Sequence, residues 1–240
     1  MNPKDRLIFP LDVPDKDTAR RYVDLLREEV GLFKVGLELF MAEGPVIMQE
    51  LANEVGPNRF FLDLKFHDIP STMHGAITTI LHGITLTTIH CDQGLEALKK
   101  MVASLGGDFK ILAVTVLTSI SSEDLLTLGY DRQYAEDPTQ LVLLKAKLAQ
   151  EAGCAGVVCS GQEVKAVKKE CGQDFLVVCP GIRPAWGAVA GDDQKRIVTP
   201  YEAIKNGADY IVVGRPIRTA PDRVAAARQV VAEIAAGMKD

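Results

Sequence analysis

FLDLKFHDIP, residues 61–70, sets charge inside an apolar strand. Phe61, Leu62, Leu64 and Phe66 belong in a buried strand, yet Asp63, Lys65 and Asp68 interrupt or follow it. Burying unpaired charge is costly. Residues two apart on a strand share a face, so Asp63 and Lys65 point one way and Leu64 and Phe66 the other. That division suits a strand with helices behind it and a polar mouth in front.

The same kind of strand recurs along the chain. Short apolar runs at 7–12, 33–36, 60–66, 85–90, 110–116, 156–159, 176–179 and 210–213 alternate with helix-period segments at 16–29, 44–54, 94–105, 138–152 and 221–236. Strands alternating with helices imply a parallel sheet, and near-continuous apolar strands imply cover on both faces. Eight such units in 240 residues predict a single-domain (β/α)8 TIM barrel over residues 1–240. The first strand is not followed by GxGxxG, which argues against a dinucleotide-binding sheet. Thr199-Pro200-Tyr201-Glu202 and Asp137-Pro138 read as capped helix starts. Two long connections, Thr118 to about Asp137 and Arg183 to about Val198, follow the fifth and seventh strands, with a short helix expected near Ser122–Leu126. In a barrel these loops lie on the face that carries active sites.

The net charge of −5 argues against a broad nucleic-acid-binding surface, so an anionic ligand needs local cations. Met1 to Asp12 has no apolar core of signal-peptide length, and no apolar run reaches membrane-spanning length. The five cysteines include no CxxC pair, which predicts neither a disulfide framework nor a zinc site and points to a reducing cytosol.

Charge gathers at the strand ends. Asp12 ends the first strand, Lys34 sits on the second, and Asp63 and Lys65 sit on the third, with Asp68 beyond. A structural Asp63–Lys65 ion pair is one reading. Convergence of Asp12 and Lys34 on the same small mouth favours a site, because clustered ionisable groups in a cleft are functional candidates. Across the mouth, Gly214-Arg215 after the eighth strand allows close anion approach and adds a fork of donors, while Arg183 and Gln194 lie in the seventh loop. His67 and His90 read as structural histidines.

With LDV at 11–13, KVGLELF at 34–40, DLKFHDIPST at 63–72, VTVLTS at 114–119, PGIRP at 180–184, DDQKRIVTP at 192–200 and VVGRPI at 212–217, the sequence resembles the orotidine 5′-phosphate decarboxylase family over nearly its whole length. Two departures are visible. IHCDQG at 89–94 stands where a small, Gly-rich run is expected, and the Arg183–Gln194 loop is longer than in close relatives.

The resemblance implies a cytoplasmic, cofactor-free and metal-free decarboxylation of orotidine 5′-monophosphate to UMP, the last step of UMP biosynthesis. Lys65 would protonate C6 within a Lys34, Asp63, Lys65 and Asp68 array. Asp12, Lys34 and Thr72 would contact the ribose and Thr118 the pyrimidine. Arg183, Gln194, Gly214 and Arg215 would hold the phosphate. A homodimer would lend Asp68 and Thr72 to the neighbouring site, with no nucleic acid or membrane partner. Rival readings are a Schiff-base aldolase, a metal-dependent sugar-phosphate decarboxylase with Asp63 as ligand, and a non-enzymatic nucleotide-binding barrel.

Overall fold

The computed structural model describes residues 2–80, 83–105, 109–187 and 196–239. Its elements run β1 (Leu7–Pro10), α1 (Lys16–Leu26), β2 (Leu32–Gly36), α2 (Leu37–Glu43), α3 (Val46–Val55), β3 (Phe60–Phe66), α4 (Pro70–Thr78), β4 (Ile84–His90), α5 (Leu95–Ser104) and β5 (Lys110–Val114). They continue α6 (Ser122–Thr127), α7 (Arg132–Glu136), α8 (Pro138–Glu151), β6 (Gly156–Val158), α9 (Val164–Cys171), β7 (Leu176–Cys179), α10 (Pro200–Lys205), β8 (Tyr210–Val212), α11 (Arg215–Arg218) and α12 (Arg223–Gly237). The strands form a closed barrel, β1 to β8 in chain order and parallel throughout, as the alternating pattern predicts.

Strand parity separates two apolar regions. Inside the barrel, Ile8, Leu32, Phe61, Leu86, Leu112, Val114, Val158, Val178 and Val212 form a plug to which every strand contributes. Outside it, the opposite parity packs against the helices, with Phe33, Phe60, Leu62, Ile89, Val157 and Ile211 buried against residues such as Val23 and Leu39. Ala19, Val23 and Leu26 on α1 show the helical spacing this packing needs. The plug closes the barrel below, so the next inward residues toward the strands' C-terminal ends can reach a mouth.

The helix starts follow their chemistry. Thr199 caps α10 through the Glu202 amide, and Glu202 bonds back. Asp137 accepts from Thr139 at the start of α8. The connection after β5 holds α6 near the expected place and also α7. After β7, the Arg183 amide donates to the Val198 carbonyl at 3.0 Å, joining the two roots of the long loop. Among the described residues no helix is long and apolar enough to cross a membrane. All five cysteines are buried free thiols.

Four strands, β1, β5, β6 and β8, end before their expected last residue. β1 ends at Pro10, so Asp12 stands in the following loop rather than at a strand end. Leu11 still donates its amide to Lys34 at 2.8 Å, which carries the chain beside β2 and brings Asp12 to the mouth.

Candidate active site

Lys34 rises from the inward parity of β2, one step above Leu32 in the plug, and Asp63 stands above Phe61 on β3. Lys34 Nζ lies 2.9 Å from Asp12 Oδ1 and 3.8 Å from Asp63 Oδ2. Lys65 Nζ lies 2.8 Å from Asp63 Oδ2. The result is a charge chain, Asp12–Lys34–Asp63–Lys65, with Lys34 and Asp63 each only 9% exposed. Gly36 makes room for it, because a Cβ there would stand 2.7 Å from Lys34 Nζ and 3.2 Å from Asp12 Oδ1.

Lys65 reaches the mouth by a route that simple alternation does not describe. Its φ is +51°, in the left-handed region that side chains other than glycine seldom occupy. The β3–β4 register runs from Leu62 opposite Thr87 to Phe66 opposite Ile89, so β3 spends two residues more than β4 over this step. The bulge lets Asp63 and Lys65 converge where successive inward residues of a regular strand would stand roughly 7 Å apart. Thr88, fully buried on the inward parity of β4, donates to Asp63 Oδ1 at 3.0 Å and accepts the Lys65 amide at 2.9 Å.

Burial pushes the Asp63 carboxyl up. The charges of Lys65 and Lys34, with hydrogen bonds from Lys65 and Thr88, outweigh that effect and hold it below the usual carboxylate range. The group is therefore an anion beside two cations. Cys159 also lines the mouth. The neighbouring free Cys179 thiol, with burial, raises its thiol well above the usual value, which leaves little thiolate for nucleophilic chemistry.

The mouth has two lobes that share Lys34, Asp63, Lys65, Pro180 and Val212. The inner lobe, about 200 Å³, has an apolar floor of Phe61, Val114, Val158 and Val178, with Thr118 and Ser119 at its wall. The outer lobe, about 440 Å³, carries Arg183, Arg215, Arg218 and Gly214 opposite Asp12. Gly214 sits tightly on β1, where a Cβ would meet Pro10 Cγ at 2.7 Å. A flat polar ring with a distal anion fits this division, with the Lys65–Asp63 pair between its two ends.

The structure thus brings together Asp12, Lys34, Asp63, Lys65, Thr118, Arg183, Gly214 and Arg215. Gln194 lies outside the described residues. Asp68 and Thr72 do not enter the mouth of their own chain. Asp68 is exposed, accepts the Ile69 amide at 2.6 Å, and lines a separate shallow hollow with His67, Ile69, Pro70, Gln93 and Ala97. Thr72 is exposed in the first turn of α4.

A family model described as the Orotidine 5′-phosphate decarboxylase / HUMPS family matches residues 5–230, a span that contains the mouth from Asp12 to Arg218. The chain belongs to the orotidine 5′-phosphate decarboxylase / HUMPS family. Relatives named orotidine 5′-phosphate decarboxylase include one from Desulfosudis oleivorans, 46% identical over 99% of this chain and 96% of that protein. Another, from Gloeothece citriformis, is 47% identical over 96% of this chain and 98% of that protein. The crystal structure of orotidine 5′-phosphate decarboxylase from Lactobacillus acidophilus superposes with a TM-score of 0.76 at 35% identity, covering 95% of this chain and 98% of that one.

Within this orotidine 5′-phosphate decarboxylase / HUMPS family member, three further elements frame the mouth. Arg218 follows Arg215 by three residues, a spacing that places both on one side of a helical turn, and Arg218 donates to the Asp12 carbonyl. Arg196 pairs with buried Glu163 at 2.6 Å and donates to the carbonyls of Val116 and Leu117, tying the β7 loop to the segment that carries Thr118.

The third is the Cys91-Asp92-Gln93 segment that follows β4. Asp92 pairs with buried Lys145 at 2.7 Å and accepts from Tyr130 at 3.1 Å. Burial raises the Asp92 carboxyl, but the nearby His90 imidazole, at 3.8 Å, with the Lys145 charge and bonds from Lys145 and Tyr130, holds it well below the usual range. Gln93 donates to the Phe66 carbonyl at 3.0 Å, so this segment braces the end of β3. His90 stacks on exposed His67 with ring centroids 5.1 Å apart.

Proposed function

We propose that the protein is a cofactor-independent orotidine 5′-phosphate decarboxylase that converts orotidine 5′-monophosphate to UMP and CO₂. The observation that carries this reading is the Lys65 ammonium, 2.8 Å from Asp63, held where an apolar lobe meets an arginine-lined one. The pyrimidine occupies the inner lobe with its edge at Thr118. The ribose meets Asp12 and Lys34. The phosphate is held by Arg183, Gly214 and Arg215, together with Gln194.

The bond from C6 to the carboxyl carbon breaks, CO₂ departs, and the electron pair stays on C6. Lys65 stabilises that charge and then gives C6 its proton. Preorganised charge of this kind acts where charge develops and needs no reorganisation at the moment of reaction. Asp63 aims Lys65 and crowds the substrate carboxylate. Binding energy from the remote phosphate is available for the reacting centre.

Asp68 completes the Lys34–Asp63–Lys65 array of a second copy, and Thr72 reaches the neighbour's ribose. Their exposure outside the mouth of their own chain supports this homodimer. The reaction is the last step of UMP biosynthesis, carried out in the cytoplasm by one barrel domain over residues 1–240. An aldolase is disfavoured, because an ammonium paired at 2.8 Å is a poor nucleophile.

The test is loss of orotidylate ultraviolet absorbance with chelator present and no cofactor added. The proposal expects UMP and CO₂ in equal amounts and no borohydride-trapped adduct. UMP binding without turnover, or turnover abolished by chelator, would refute it.

A further inference from the structure

We propose that Thr88 is a positioning residue for the Lys65–Asp63 pair, its single hydroxyl fixing both the carboxylate orientation and the backbone turn that carries Lys65. The proposal rests on the reading of that pair as the reacting groups.

The bulge in β3 creates a backbone problem. Between Leu62 opposite Thr87 and Phe66 opposite Ile89, three residues of β3 face Thr88 alone. The Lys65 amide within that stretch donates to a side chain, the Thr88 hydroxyl, at 2.9 Å. A buried amide without an acceptor is costly, and the left-handed conformation of Lys65, φ +51°, adds strain. Thr88 offsets the first cost and pins the second in place.

The same oxygen has one proton to give. While one of its lone pairs accepts the Lys65 amide, it donates that proton to the anionic Asp63 Oδ1 at 3.0 Å. The other carboxylate oxygen, Oδ2, is left to the ammonium groups of Lys65 and Lys34. One hydroxyl therefore sets which carboxylate oxygen faces the cations and where the Lys65 Cα stands. Thr88 is fully buried and is absent from the lining of either lobe, so it acts through its partners rather than on a ligand. It sits on the inward parity of β4, above Leu86 in the plug, so the barrel itself fixes its position.

The test compares Thr88→Ser with Thr88→Ala. Both remove the γ-methyl, and Thr88→Ala removes the hydroxyl as well. Thr88→Val, which fills the space, carries the comparison if the Ala variant does not fold. Steady-state orotidylate turnover is read alongside amide hydrogen exchange at Lys65 in the ligand-free protein. Thr88→Ser keeps kcat within about threefold of wild type, while Thr88→Ala and Thr88→Val lose about 10- to 100-fold in kcat. KM stays within about threefold throughout, because the phosphate contacts lie elsewhere. Lys65 amide exchange accelerates by about tenfold or more in the two variants without the hydroxyl and stays slow in Thr88→Ser.

Equal kcat and equal Lys65 exchange in the Ser variant and its hydroxyl-free counterpart would overturn the proposal. Failure of the wild-type protein to decarboxylate orotidylate would instead refute the proposed function. The exchange comparison would still decide whether Thr88 holds Lys65.

Discussion

Replacing Asp63 by Asn removes one negative charge and almost no volume, which makes it a sharp probe of the charge chain. Asp63 Oδ2 stands 2.8 Å from Lys65 Nζ and 3.8 Å from Lys34 Nζ. At an effective dielectric of about 20 those contacts are worth roughly 6 and 4 kcal/mol of gross attraction. The net effect is smaller. Desolvation of the buried carboxylate opposes it, Lys34 keeps Asp12 at 2.9 Å, and Lys65 is 31% exposed and regains water. Breaking a buried pair typically costs about 3–5 kcal/mol, so about 2–3 kcal/mol is expected here.

The pH dependence identifies the source of that loss. The folded Asp63 carboxyl lies below its unfolded value of about 3.9, so its contribution is complete above that pH and disappears as pH falls through the folded value. Urea unfolding across that range should show a wild-type advantage at neutral pH that shrinks below about pH 4. Turnover should fall by at least about 100-fold, the usual weight of one preorganised electrostatic contact. An Asn variant as stable as wild type at neutral pH, or a stability gap that does not change with pH, would refute the reasoning.

Arg215→Ala should lower kcat/KM for orotidylate by about 30- to 1,000-fold through loss of a charge-assisted phosphate contact. It should have little effect on the residual reaction of orotidine, which lacks the phosphate. Mixing inactive Lys65→Ala and Asp68→Ala proteins should restore about a quarter of wild-type activity. Statistical exchange makes half the dimers mixed, each with one intact site, and an absence of recovery after verified subunit exchange would contradict the shared site. Lys145→Met should destabilise the protein by about 1–2 kcal/mol in urea, because it leaves Asp92 without its cation while that half-buried carboxylate keeps some solvent. Adding Asp92→Leu should recover part of that loss.

Much of this architecture is legible in the sequence for identifiable reasons. Eight apolar runs spaced by amphipathic stretches determine a barrel, and a side-chain period of two sends Lys34 and Asp63 inward. The Pro-led, capped helix starts at Thr199 and Asp137 are local chemistry, so they read directly. The bulge at Lys65 does not, because it arises from register against β4 and DLKF alternates as any strand would. Thr88 is hidden for a related reason, since threonine in a strand is ordinary until its hydroxyl is seen between Asp63 and the Lys65 amide. Lys145 looks like one more charge on α8, and only tertiary packing buries it against Asp92. Asp12 reads in the sequence as the end of a strand. Its place depends instead on Leu11 continuing the β2 pairing after β1 has ended.

Lys65, aimed by Asp63, is proposed to supply the charge and the proton for decarboxylation. The most direct test of that role is orotidylate turnover by wild type and Lys65→Ala in D₂O with chelator present, with the C6 position of the UMP product read by NMR. The wild-type protein should leave one deuterium at C6, and Lys65→Ala should lose at least about 10⁴-fold in turnover, the combined weight of proton donation and electrostatic stabilisation. Wild-type turnover by Lys65→Ala would contradict that role.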